Sequence, residues 1–231
     1  MIQPGVVVFD VNETLSDMAP MGQRFVDVGA PEQLAKTWFA GLLRDGFALT
    51  AAGGQEAFSV LGQGVLRTLF APLAERGELD RKVEDAIEYV MAGFAELPVH
   101  PDVPDGVRAL GRAGLRLVTL TNGATTVPQQ LFERAGIVGE FERLLSVDDA
   151  GAWKPARGAY EYAARTCGVD ISAMLLVAVH SWDIDGAARA GMRTAWIDRH
   201  GSPYPDYFTA PEITARGIDD LADQLAGDDG H

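Results

Sequence analysis

Near-continuous apolar runs punctuate both ends of the chain: VVVF at 6–9, LRLVTLTN at 115–122, MLLVAVH at 174–180 and RTAWID at 193–198. Each is too short for a helix and rich in strand-forming residues, and the absence of polar alternation predicts strands covered on both faces. FERLLSV (141–147) reads as a further strand. Between these runs, VPQQLFERAG, ARGAYEYAARTCG and IDGAARAG carry helical periodicity. Alternation of this kind predicts an α/β fold with a Rossmann-like parallel sheet and crossover helices. ITARGIDDLADQL closes the chain with one short strand and a helix, and GDDGH is expected to fray.

From Leu15 to about Pro98 the period changes. PEQLAKTWFAGLLRDG, GQEAFSVLGQGVLRTLFAPLAERG and LDRKVEDAIEYVMAGFAEL place apolar residues three and four apart, and each ends near Gly or Pro. No strand signal interrupts them. The expected organisation is an α/β core of residues 1–15 and 99–231, with a helical cap of residues 16–98 inserted after the first strand. The chain would return to the core through the proline-punctuated VHPDVPDG. Two bodies joined by short linkers, Leu15–Pro20 and Pro98–Pro104, imply a hinge and a cleft beside Asp10. Met18, Met21 and Trp38 could wall that cleft or simply form the cap's core.

Composition narrows the function classes. The 231 residues are 47% hydrophobic, enough for a full core, and carry a formal net charge of -14. Such a field argues against nucleic acid and acidic membrane surfaces as partners, though a local pocket can still hold a small anionic organic substrate. The single cysteine, Cys167, excludes an intrachain disulfide and falls in a helix as a buried thiol, which points to the cytosol. MIQPGVVVFD lacks a basic leader, and its apolar run is too short for a signal peptide or a membrane span. The cap's apolar stripes could bury within the cap or across a homodimer.

Chemistry concentrates where the strands end. Asp10 closes VVVF; by itself it could equally cap a helix or start a turn. The other strand ends add Thr121 with Asn122, then Lys154 shortly beyond a strand, then His180 to Asp183. Ligand sites of open α/β sheets lie at this edge. A carboxylate held ionised by a lysine, beside a hydroxyl, an amide and a second carboxylate, suits nucleophilic substitution.

The stretches FDVNETL, LTNG, KPARGAY and SWDIDGAARAG, in that order with a helical insertion after the first, resemble the haloacid dehalogenase superfamily over essentially the whole chain. The resemblance implies that Asp10 is the nucleophile forming a covalent ester and that Thr14 supports its loop. It implies that Thr121 and Asn122 meet the substrate or leaving group, with Asn12, Gly123 and Trp182 beside them. Lys154 would neutralise Asp10, Thr121 would orient it, and Asp183 would complete the acidic end.

Within the superfamily, phosphatases keep a second Asp two residues after the nucleophile as acid and base. Here that position is Asn12, which cannot transfer a proton, a loss of about a hundredfold or more. They also hold Mg²⁺ with an acidic pair in the last motif. Sliding VHSWDIDGA onto that pattern puts Val179 at the first acid and Asp183 at the second, and valine offers no oxygen to a hard cation. Tyr160, six residues after Lys154, and Trp182 match the type II 2-haloacid dehalogenases.

Other positions depart from that branch. Asn12 and Glu13 replace the usual tyrosine and glycine, and Ala178 and His180 stand where Ser and Asn are common. The cap arginine that takes the departing halide is replaced by Pro31, leaving Arg24 or Arg44 to approach from elsewhere. His180 could activate water, or only orient Asp183 or cap the following helix. The expected function is a metal-independent, cofactor-free (S)-2-haloacid dehalogenase. The alternatives are a Mg²⁺-dependent phosphatase of small monoesters, using Asp183 or Asp185 as ligand, and a catalytically silent binding protein.

Overall fold

The computed structural model describes residues 4–227, so the expected frayed tail lies outside the described residues except for Gly227. The chain divides into two compact units, one formed by the residues up to Ser16 together with those from Pro98 on, the other by Asp17–Leu97.

The first unit is a six-stranded sheet. Its strands are β1 (Val6–Phe9), β2 (Arg116–Thr121), β3 (Arg143–Ser146), β4 (Met174–Ala178), β5 (Arg193–Ile197) and β6 (Ile213–Ala215). They lie in the order β3-β2-β1-β4-β5-β6, and every neighbouring pair is parallel. The chain builds outward from β1 through β2 to β3, then crosses back to start the other wing at β4. The reversal between β1 and β4 is the switch point at which such sheets open a crevice at their carboxyl edge. The Asp10 amide extends the β1–β4 ladder by one further bond, to the Val177 carbonyl at 3.0 Å.

Five helices cover this sheet: α5 (Val103–Arg112), α6 (Thr126–Ala135), α7 (Arg157–Cys167), α8 (Ser181–Ala190) and α9 (Ile218–Gly227). Val7 and Phe9 join a core with Val103 and Val107 of α5, Phe132 of α6 and Leu221 of α9. On the alternate face of the strand Val6 and Val8 are equally buried, and α8 packs on β4 and β5. Burial on both sides is the physical reason the strand sequences lack alternation. Cys167 is a buried free thiol at the end of α7.

The second unit contains α1 (Met21–Val26), α2 (Leu34–Ala51), α3 (Phe58–Glu75) and α4 (Val83–Ala95). Trp38 and Met21 belong to its core, while Met18 is half-buried. Trp38 donates its indole N–H to the Gly62 carbonyl at 2.9 Å, and its ring meets Phe25 and Phe94 at centroid distances of 6.2 and 5.6 Å.

Two sequence expectations are corrected. The α2 helix does not stop at Gly46 but continues to Ala51, because Gly46 is itself buried and half-buried Phe47 and Leu49 carry the apolar face on. The VHPDVPDG segment is not merely a connection. Its last four residues already belong to α5, with Pro104 in the first turn where a missing N–H costs nothing. Among the described residues no helix is long and apolar enough to cross a membrane.

Candidate active site

Asp10 emerges from β1 almost fully buried, and its hydrogen-bond partners Thr14, Lys154 and His180 come from beyond the carboxyl ends of β1, β3 and β4. Its Oδ1 accepts from Lys154 Nζ at 2.8 Å, and the same ammonium donates to Asp183 Oδ2 at 2.6 Å. Lys154 is fully buried, so its charge is compensated by these two carboxylates rather than by water. Burial alone would raise the Asp10 pKa, but the Lys154 ammonium and then the His180 ring hold it well below the usual carboxylate range. For Lys154 burial pushes the other way, and Asp10 and Asp183 overcome it to raise the pKa above the usual lysine value. Burial dominates at Asp183 and raises its pKa.

The remaining oxygen of Asp10 is equally occupied. Oδ2 accepts from the Thr14 hydroxyl at 2.7 Å, and that hydroxyl accepts the Val179 backbone N–H at 3.1 Å. His180 Nδ1 lies 3.0 Å from the same Oδ2, and its Nε2 lies 2.8 Å from Glu13 Oε2. Burial would lower the His180 pKa, but the hydrogen bonds to Asp10 and Glu13 win and lift it to about 9. The ring is therefore an imidazolium at neutral pH, donating to both carboxylates. Trp182 stacks on it at a centroid distance of 4.9 Å.

Asn122 holds the loop that delivers Lys154. Its Oδ1 accepts the Lys154 backbone N–H at 2.9 Å, and its Nδ2 donates to the Lys154 carbonyl at 3.2 Å. Thr121 Oγ1 accepts the Gly123 N–H at 3.1 Å, and the Gly123 carbonyl accepts from Ser146 at 2.9 Å, so the turn after β2 is fixed from within. Tyr160 is buried on α7 and donates to Asp183 Oδ1 at 2.6 Å; burial first and Asp183 second raise its pKa well above the ordinary phenol. Gly186 makes room for this contact. A Cβ there would stand 2.5 Å from the Pro155 Cβ and 2.7 Å from the Tyr160 hydroxyl.

The structure thus brings Asp10, Thr14, Lys154, Tyr160, His180 and Asp183 into one hydrogen-bonded cluster. Asn122 adjoins it through the Lys154 backbone, and Trp182 through the His180 ring. Thr121 and Gly123 lie one turn further along, and Asn12 is buried in the loop leaving β1. Two expectations change. Thr14, not Thr121, orients Asp10, because the Thr121 hydroxyl faces the Gly123 amide. His180 neither orients Asp183, which Lys154 and Tyr160 hold, nor caps α8 with its side chain.

Sequence reasoning gave Glu13 no role. It is the one described non-glycine residue with positive φ, 61°, and that backbone twist accompanies its reach to His180. The signal was present, since a polar residue stood where related chains have glycine. Arg24 pairs with Glu96 at 2.6 Å and lies over the Tyr89 ring, and Arg44 pairs with its neighbour Asp45 and is 74% exposed. Pro31 is exposed.

A divalent cation does not fit these residues. Lys154 Nζ already fills the space between Asp10 and Asp183, Val179 has no side-chain oxygen and its N–H and carbonyl are taken by Thr14 and Trp196, and Asp185 accepts from Arg189 and Thr209. Among the described residues no group of three or more His, Cys, Asp or Glu is arranged to hold a metal.

A parallel sheet whose first strand ends on a buried carboxylate, met by a lysine and a second carboxylate from later loops, defines a class of α/β proteins with an acid at the switch point. The chain belongs to the haloacid dehalogenase-like hydrolase family, which matches residues 4–191. It is 34% identical over 133 residues to haloacetate dehalogenase H-2 of Moraxella sp. (strain B). It is 36% identical over 137 residues to an (S)-2-haloacid dehalogenase of Pseudomonas sp. (strain YL). Each of these alignments spans 58% of this chain and 59% of the relative. The crystal structure of an L-2-haloacid dehalogenase superposes with a TM-score of 0.88 at 28% identity, covering 97% of this chain and 99% of that one.

Proposed function

We propose that the protein is an (S)-2-haloacid dehalogenase that works without a metal through an ester on Asp10. The observation that carries this reading is the state of Asp10: a buried carboxylate kept ionised by an adjacent ammonium, with an amide rather than an acid at position 12. Such a group can attack carbon. What the site lacks is a protonated carboxyl for an alkoxide leaving group, which a halide does not need. The names of the relatives point the same way.

In the first step an Asp10 oxygen attacks C2 of the 2-haloalkanoate, the carbon–halogen bond breaks, and halide departs with the bonding pair. Lys154 compensates the charge of Asp10 beforehand, and Thr14 fixes its rotamer. Asn122 holds the Lys154 loop through both atoms of its amide rather than meeting the halide, and Trp182 stacks on His180.

In the second step water attacks the Asp10 carboxyl carbon. Alkylation removes the charge of Asp10, so His180 keeps only Glu13 as an anionic partner and its proton is held less tightly. His180 releases its Nδ1 proton to solvent while Nε2–H stays on Glu13, and Nδ1 beside the ester then takes the proton of the attacking water. The oxygen–Cγ bond then breaks, the departing alkoxide takes back the proton that His180 received, Asp10 is restored with one oxygen from water, and a 2-hydroxy acid inverted at C2 leaves with an oxygen that began in Asp10.

Incubation of chelator-treated protein with (S)-2-chloropropionate should release chloride and lactate. In oxygen-18 water the first turnover should yield unlabelled product hydroxyl, and later turnovers labelled product. Label in the first product would refute the ester route, and no chloride at all would refute the dehalogenase reading.

A further inference from the structure

The turn that carries Glu13 and Thr14 is held from outside by a residue remote from the reacting atoms. Glu13 sits at φ 61°, a left-handed conformation that a residue with a Cβ keeps only when its surroundings impose it. His100 Nε2 meets the Glu13 carbonyl at 3.0 Å, and Arg199 Nη2 donates to the Thr14 carbonyl at 2.7 Å. Arg199 stands just beyond β5, 11% exposed. Its Nη1 donates to Asp102 Oδ1 at 2.7 Å, and Asp102 Oδ2 accepts the Ile218 N–H that opens α9 at 2.7 Å. Nε of Arg199 is buried without an acceptor, so the orientation of the guanidinium is set by the two oxygens it does reach.

We infer that Arg199 is a positioning residue: anchored on Asp102, it clamps the Thr14 carbonyl and so keeps the Glu13 carboxylate on His180 and the Thr14 hydroxyl on Asp10. The consequence rests on the dehalogenase reading and is unequal for the two steps. Asp10 is also held by Lys154 through its other oxygen, so attack on the substrate tolerates a loosened turn. Glu13 reaches His180 only through that turn, so ester hydrolysis does not.

The test is single-turnover kinetics with (S)-2-chloropropionate on Arg199→Lys and Arg199→Ala, reading chloride, lactate and the intact-protein mass of the Asp10 ester. Lysine keeps the charge beside Asp102 but cannot serve both oxygens with one planar fork. Hydrolysis should slow about tenfold or more while chloride release falls less than about threefold, so that ester accumulates. In a Glu13→Gly background, where φ 61° is unstrained and no carboxylate needs placing, Arg199→Ala should slow hydrolysis less than about threefold. Equal losses in both steps, or the full loss retained in the Glu13→Gly background, would overturn the inference. His180 can also be titrated by NMR in Arg199→Lys without substrate. A lowered pKa supports the clamp and an unchanged one refutes it, even if the wild type releases no chloride and the dehalogenase reading fails.

Discussion

Replacing Glu13 by Gln isolates the charge that supports His180, since the amide oxygen can still accept the Nε2–H bond while the anion is gone. His180 rises from 6.5 to about 9 against the pull of burial, a net stabilisation of the imidazolium of ~3 kcal/mol that Asp10 and Glu13 supply together. Glu13 is 42% exposed, so solvent screens its charge and its share is set at ~1–2 kcal/mol. Once Asp10 is esterified that share is the whole anionic support of the base. Expressed half to fully in proton transfer, it makes ester hydrolysis about twofold to thirtyfold slower. The sign of the pH effect follows. A ring that has lost an anion releases its proton at lower pH, so the acid limb of the hydrolysis rate moves down as its plateau falls. Chloride release in the first turnover should be unchanged, because Lys154 keeps Asp10 ionised. Rapid-quench measurement of chloride and lactate from pH 5 to 10 gives both steps. A Glu13→Gln enzyme that hydrolyses its ester at the wild-type rate with an unmoved limb would refute the assignment of His180 as base.

Two further outcomes follow from the same cluster. Lys154→Met leaves Asp10 and Asp183 as facing buried carboxylates without a cation; it should cost ~3–5 kcal/mol in denaturant unfolding and suppress chloride release, and a variant as stable as the wild type would contradict the ion-pair account. Because the folded pKa of His180 lies above its unfolded value, its stabilisation is complete below pH 6.5 and is lost as pH rises through about 9. Urea unfolding should show stability falling across that window, and His180→Asn should flatten the fall; an equally steep fall in the variant would show that another group titrates there.

The fold was legible because its strands are covered on both faces, which writes their positions as unbroken apolar runs and leaves their ends conspicuous. Asp10, Lys154, His180 and Asp183 could be read as strand-end residues, and a parallel sheet brings such residues to one edge. Their pairing was not legible. Whether Thr14 or Thr121 touches Asp10 depends on which hydroxyl lies within about 3 Å, and both stand at strand ends in sequence. Glu13 was overlooked because its contribution depends on a left-handed backbone that only neighbouring contacts maintain. Arg199 follows the strand end AWIDRH, and nothing in the sequence marked its reach to the turn after β1. Helix α5 was concealed by two prolines that read as breakers, although Pro101 precedes the helix and Pro104 occupies its first turn.

The entry and exit of the helical unit are tied within the α/β unit itself: Ser16 and Val99 form an antiparallel bridge, and the His100 N–H donates to the Leu15 carbonyl at 2.9 Å. The sheet therefore treats residues 17–97 as a closed excursion whose ends are already joined. Chain-closure entropy rises only slowly with loop length, so the number of residues inside that excursion weighs little on the sheet's stability. The inserted helices can then lengthen, shorten or be exchanged while the clasp preserves the turn that presents Asp10.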